Sequence, residues 1–214
     1  MTEKNKMLFY NKKLINGCSL AIWKIEESVE QLLSHFYTYK EEMTTQITSM
    51  NSEKRQKEFL AVRVLISKLL GVENGVIYNN DGRPSLLNRD EKISISHTQG
   101  YASVIIHPNR TVGVDIEQCR EKIFRIKHKF LSAFELAHVD LQNELKYLTL
   151  LWSAKETLYK ISDNHLVEFD EDMEVAPLTL SSCGQLYITD KKVEKRYELS
   201  YQFFDDFVIV YGAE

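Results

Sequence analysis

The sequence predicts an α+β fold built as two similar lobes, residues 1–111 and 112–214. Three observations predict it. Apolar residues recur at helical spacing in one long window of each half. Each half also ends in a pair of short apolar runs separated by turn residues, the pattern of antiparallel strands. Only 8 glycines and 3 prolines are present, so no long flexible linker separates the halves, which meet near Val112.

The elements follow in chain order. Residues 18–25 (CSLAIWKI) read as a first strand. Residues 27–40 read as a helix with Val29, Leu32, Leu33 and Phe36 on one face. A longer helix comes next, capped by Asn51 or Ser52. Its apolar stripe is Phe59, Val62, Leu65, Ile66, Leu69 and Leu70, and Gly71 ends it. Residues 93–106 read as a hairpin, ISIS and YASVII about a turn near Thr98, Gln99 and Gly100. A second turn, His107 to Arg110, leads into the strand VGVDIE (residues 112–117). Beyond it, residues 119–129 are basic and helical in pattern. Ser132 with Glu135 has the S-x-x-E form of a capping box. A helix runs from about Tyr147 to Ile161, and residues 185–189, 197–203 and 207–211 are the closing strands.

Composition narrows the function classes. With 43% apolar and 27% charged residues, the chain is of ordinary globular type and long enough to bury a sizeable core. A net charge of −4 and a pI near 5.9 argue against a dedicated nucleic-acid binder. Cys18, Cys119 and Cys183 are widely spaced and form no CxxC pair, so neither a disulfide framework nor a zinc site is expected, and a reducing compartment fits. The N-terminus has charges but no apolar run of signal length, and no window approaches the roughly 18 apolar residues of a membrane span. A cytoplasmic protein that binds neither membrane nor nucleic acid is the expectation.

Four stretches could carry chemistry. Residues two apart on a strand face the same way, so Val112, Val114 and Ile116 share one face of VGVDIE, while Gly113, Asp115 and Glu117 share the other. The two acids either form a solvated surface or hold a hard divalent cation, which takes one or two carboxylates plus substrate phosphates. In LWSAKETLYK (residues 151–160), Trp152, Glu156 and Lys160 lie at i, i+4 and i+8 of a helix. Glu156 and Lys160 are either an exposed ion pair or a third carboxylate for the cation with a phosphate-binding lysine one turn on. In ISISHT (residues 93–98), Ser96 and His97 stand at the hairpin turn, as plain turn residues or as donors to an anion. No GxSxG elbow accompanies them. Finally, DGRPSL (residues 81–86) is a turn whose Arg83 offers a fork for phosphate.

In this order, GRP (82–84), ISHT (95–98), GVDIE (113–117) and WSAKETLYK (152–160) resemble the motifs of the 4′-phosphopantetheinyl transferases of the surfactin-synthetase-activating (Sfp) type. The last two motifs are the most specific. Residues 52–57 (SEKRQK) and 60–63 (LAVR) also resemble that family's basic first-lobe helix. Phe130, Leu131 and Ser132 with Glu135 resemble its F-[FL]-[ST]-x-x-E segment. The likeness covers about residues 50–160.

The resemblance implies a monomer with two lobes related by a pseudo-twofold, each an antiparallel sheet with packed helices. It implies Mg²⁺, or Mn²⁺ in its place, held by Asp115, Glu117 and Glu156, with coenzyme A as co-substrate. Contacts to coenzyme A carry over to Lys54, Lys57, Arg83, Ser96, His97 and Lys160. The implied reaction moves the phosphopantetheine arm to a serine of an apo acyl or peptidyl carrier protein, with Glu156 as general base and Lys160 steadying the phosphate. Carrier proteins are acidic around that serine. The basic run Arg120, Lys122, Arg125, Lys127, His128 and Lys129 is either a docking surface for one or a solvated helix face. The chain departs from the family at Ile116, where some relatives have a polar residue, at Thr157, where Ala or Ser is usual, at Gln99, and at Arg83 in place of Lys. The rival readings are a non-catalytic binder of coenzyme A or a nucleotide, a Mg²⁺-dependent phosphohydrolase, and a structural protein.

Overall fold

The computed structural model describes residues 8–14, 17–162 and 167–214. It divides into two units, Met1–Thr111 and Val112–Glu214, each a mixture of antiparallel sheet and helix. Among the described residues no helix is long and apolar enough to cross a membrane.

The first unit runs through β1 (Leu8–Lys13), β2 (Ser19–Lys24), α1 (Val29–Leu33), α2 (Lys40–Thr48) and α3 (Glu53–Leu70). It continues with β3 (Val76–Tyr78), β4 (Pro84–Leu86), β5 (Lys92–Thr98) and β6 (Tyr101–His107). Among the described residues its main sheet has the order β1-β2-β6-β5, all antiparallel, and β3 pairs with β4 in a separate small hairpin. The long helix α3 starts where the Ser52 hydroxyl accepts from the Arg55 amide and ends at Gly71. There φ is +73°, a left-handed conformation that costs glycine nothing. Its Leu60, Ala61, Val64 and Leu65 pack with Ala21 and Trp23 of β2 and Ala102, Val104 and Ile106 of β6.

The helix expected over residues 27–40 is shorter than its pattern. The capping box of Ser28 and Gln31 starts α1, which stops at Leu33. The next amides have a stronger claimant. The Glu73 carboxylate accepts from Tyr37, Thr38 and Tyr39 at 2.8, 3.1 and 3.1 Å, which holds that segment out of a helical ladder. Phe36 still reaches the core from this non-helical stretch.

The second unit runs through β7 (Val112–Gln118), α4 (Lys122–Ile126), α5 (Ala133–Ala137), α6 (Glu144–Ile161), α7 (Phe169–Asp172), β8 (Met173–Val175), β9 (Cys183–Asp190), β10 (Lys195–Phe203) and β11 (Phe207–Ala213). Its antiparallel sheet has the order β7-β11-β10-β9-β8 among the described residues. The basic stretch 119–129 is not one helix: α4 gives way to a 3₁₀ turn at Lys127–Lys129. The capping box of Ser132 and Glu135 is present and opens α5. α6 packs on β7 and β11. Leu148, Leu151, Ala154 and Leu158 form a core with Val208, Val210, Leu199 and Ile188.

Candidate active site

In the second unit the site begins with an unusually close approach of helix to strand. Gly113 on β7 and Gly212 on β11 are cross-strand partners. A methyl group on Gly113 would overlap the carbonyl oxygen of Thr157 and stand 2.7 Å from Cγ1 of Ile161. One on Gly212 would meet Cδ2 of Leu199 on the neighbouring strand at 2.5 Å and would be only in ordinary contact, 3.4 Å, with Cδ1 of Ile161. Gly113 therefore makes the notch in which the last turn of α6 lies. Thr157 adds a second tie: its hydroxyl donates to the Ser153 carbonyl at 2.7 Å and to Val210 of β11 at 3.2 Å.

This docking covers the acidic face of β7. Asp115 is buried, only 6% exposed, and Glu117 is half-buried. The face is thus not the solvated one that alternation alone left open. Asp115 is held from α6 on both oxygens: the Ser153 hydroxyl donates to Oδ2 at 2.8 Å, and the Lys160 ammonium donates to Oδ1 at 2.9 Å. Lys160 Nζ also donates to the Val114 carbonyl at 2.9 Å. Lys160 therefore turns inward onto the strand instead of forming an exposed pair along its own helix. Each bond to a charged group of this kind is worth about 1.5–3 kcal/mol.

The other two carboxyls feel the same cluster. Burial, then the charge of Asp115, pushes Glu117 up, while Lys122 and Arg120 pull it down. Glu156 is pushed up to about 7, by burial first and then by Asp115, with Glu117 adding to the rise and Lys160 opposing it. The acids act on one another, so they share one electrostatic neighbourhood with less positive charge than they could use.

A hard divalent cation fits this donor set, since every acidic group in it is a carboxylate. The fit is open rather than closed. Among the described residues no three His, Cys, Asp or Glu side chains converge to hold one ion by themselves. An ion here would take ligands from outside the protein as well.

The first unit gathers a second group. Lys54, Lys57 and Glu58 on α3 line a pocket of about 270 Å³ with Ile25, Glu53 and Gly100. Lys57 Nζ lies 2.8 Å from Glu53 Oε1, and Lys54 Nζ lies 3.7 Å from Glu58 Oε1. Nδ1 of His97 is 3.7 Å from Glu58 Oε2. Glu58 is buried, yet among the described residues its Oε1 accepts no hydrogen bond.

Ser96 and His97 do not stand at the turn. Thr98 pairs with Tyr101, so both lie within β5 and face opposite sides of it. His97 meets α3, whereas Ser96 is buried on the other face. Arg83 sits half-buried at the turn between β3 and β4, its amide donating to Asn79 Oδ1 at 2.8 Å and Gly82 taking φ +76°.

The motifs do not show the work of two residues between Trp152 and Glu156. Ser153 orients Asp115, as described. Lys155 carries a charge that usually marks a surface, but it is fully buried. Its ammonium donates to Glu135 Oε2 and to the carbonyls of Phe130, Phe169 and Met173, all at 2.6–2.8 Å. Burial pushes the Lys155 pKa down and Glu135 opposes that shift. The Glu135 carboxylate also accepts from the Ser132 and Val175 amides at 2.8 Å each. The capping box was the legible half of this arrangement; the lysine 20 residues on was not.

Residues 111–211 match the family model described as the 4′-phosphopantetheinyl transferase superfamily. That span contains Asp115, Glu117, Ser153, Glu156 and Lys160. No curated protein matches the chain.

Proposed function

We propose that the protein is a 4′-phosphopantetheinyl transferase of the surfactin-synthetase-activating type, whose two units are the similar lobes of that family's pseudo-twofold plan. It moves the arm of coenzyme A onto a serine of an apo acyl or peptidyl carrier protein and releases adenosine 3′,5′-bisphosphate. The observation that carries this reading is the carboxylate cluster of β7 and α6, in which Glu156 titrates near neutrality beside Asp115 and a lysine. The family match over residues 111–211 supports it.

The chemistry follows from these side chains. Mg²⁺ would draw on Asp115, Glu117 and Glu156, which do not close around one ion by themselves, and on oxygens of coenzyme A. Bound there, the ion would neutralise charge on the diphosphate oxygens. Glu156 takes the proton of the carrier serine, directly or through one water; its pKa of about 7 belongs to the metal-free chain, and a cation beside it would lower that value. The serine oxygen forms a bond to the β-phosphorus as the bond from that phosphorus to the bridging oxygen breaks. The bisphosphate leaves with the bonding pair. Lys160, whose ammonium rests on Asp115 and the Val114 carbonyl in the ligand-free chain, would turn to the phosphate and steady it. Ser153 keeps Asp115 from rotating. The family likeness would give Lys54, Lys57 and His97, now in contact with Glu53 and Glu58, to coenzyme A. Arg83 and Ser96 complete the contacts that the family likeness implies.

Intact-mass spectrometry of an apo acyl carrier protein tests this, after incubation with the protein, coenzyme A and Mg²⁺. Wild type should add one phosphopantetheine arm, and Glu156→Ala or EDTA should abolish the gain. Coenzyme A binding without modification of any acyl or peptidyl carrier would point to a non-catalytic binder. Cleavage of coenzyme A with no carrier present would point to a phosphohydrolase.

A further inference from the structure

We infer that Lys160 is a built-in counter-cation that keeps a divalent metal from settling on Asp115 by itself, so that the metal and the diphosphate of coenzyme A bind as a coupled pair. This rests on the function proposed above.

Three observations carry it. First, Lys160 Nζ already occupies the carboxylate an ion would need, 2.9 Å from Asp115 Oδ1, and the Val114 carbonyl fixes it there at 2.9 Å. The opposite oxygen carries the Ser153 hydroxyl at 2.8 Å. Second, the protein offers no closed cage: among the described residues no three acidic, imidazole or thiolate side chains converge on one point. Third, the Lys160 side chain is 24% exposed on the last turn of α6, so its ammonium is within reach of a ligand arriving from solvent, whereas Asp115 is buried.

A divalent ion arriving alone meets a like charge at its best ligand. Either the two cations share Asp115 and repel, or Lys160 gives up a partly buried pairing for water. With a diphosphate present, the lysine exchanges Asp115 for phosphate oxygens, and the ion gains ligands that the protein lacks. The penalty on the ion disappears. Linkage then requires the converse, that metal tightens coenzyme A by the same factor as coenzyme A tightens metal. Metal-free Asp115 never stands as an unpaired buried carboxylate, because Lys160 serves it until the ligand comes.

The test is Mn²⁺ titration of the full chain by calorimetry, with and without saturating coenzyme A, for wild type, Lys160→Met and Lys160→Arg. Wild type should bind Mn²⁺ weakly alone and more tightly with coenzyme A. Lys160→Met should bind Mn²⁺ alone about tenfold more tightly than wild type, within the usual range of coupling between sites. The gain from coenzyme A should shrink by that same factor. Lys160→Arg, which keeps the charge, should behave like wild type. Thermal melts in EDTA serve as the second readout. Lys160→Met should melt lower than wild type without metal and recover more on adding Mn²⁺. Mn²⁺ binding by Lys160→Met no tighter than wild type, together with an equal metal-induced rise in melting temperature, overturns the inference. If wild type still modifies a carrier protein in that case, the transferase reading survives. A wild type that neither modifies a carrier nor gains Mn²⁺ affinity from coenzyme A removes both.

Discussion

Replacing Glu156 with glutamine should make the protein's stability less dependent on pH. In the folded chain the Glu156 carboxyl titrates at about 7 instead of its ordinary 4.5. The unfolded chain therefore loses this proton near pH 4.5, while the folded chain keeps it until about 7. Between those values the unfolded state binds fewer protons, so stability falls as pH rises, and it levels off above 7. The shift corresponds to at most about 3 kcal/mol, lost across that window. Glutamine copies the protonated acid and cannot ionise. Wild type and Glu156→Gln should then have similar stability near pH 4.5, and the variant should lead by up to about 3 kcal/mol at pH 8. Urea unfolding in EDTA at pH 5, 6, 7 and 8 measures the difference, with circular dichroism as the signal. Adding Mg²⁺ at pH 8 should narrow it, because a cation favours the ionised carboxylate that only wild type has. A difference that stays constant from pH 5 to pH 8 refutes the electrostatic argument.

Two more outcomes follow from packing. Gly113→Ala should destabilise the second unit by about 3 kcal/mol or more and strip its transfer activity, since the new methyl would overlap the Thr157 carbonyl and Ile161; thermal melts and the carrier-protein assay read both. Lys155→Met should cost about 3–5 kcal/mol by leaving the buried Glu135 charge without its cation, and adding Glu135→Leu should not restore the loss in chemical denaturation, because the Ser132 and Val175 amides would then lose their acceptor.

Locally encoded features were the legible ones. Ser52 and Gly71 bound α3 because a hydroxyl cap and a left-handed residue act on the backbone next to them. The hairpin of β5 and β6, the strand VGVDIE and most of α6 followed from periodicity in the same way. The break after Leu33 did not, because its cause is Glu73, 36 residues from Tyr37. Nor did β8 or α7, each too short to show a period. At the site, alternation put Asp115 and Glu117 on one face, but only the tertiary structure tells whether that face is covered. The side of the sheet decides the rest: His97 faces α3 while Ser96, its neighbour in the motif, faces away. Lys155 was hidden for the opposite reason, since charge suggests solvent and its partners come from four separate places along the chain.

The glycine notch under α6 also acts as a key. A helix resting on a smooth sheet can slide along its axis at little cost, because one set of aliphatic contacts is exchanged for another. With Ile161 and the Thr157 carbonyl seated over Gly113, α6 has one axial position. A slip of a single residue would shift the helix by about 1.5 Å and turn its side chains by about 100°, carrying Glu156 and Lys160 away from Asp115. A residue without a side chain thus sets the phase of the acidic and basic groups above it, and the glycine of GVDIE belongs to the site as a spacing gauge though it has no group to offer a ligand.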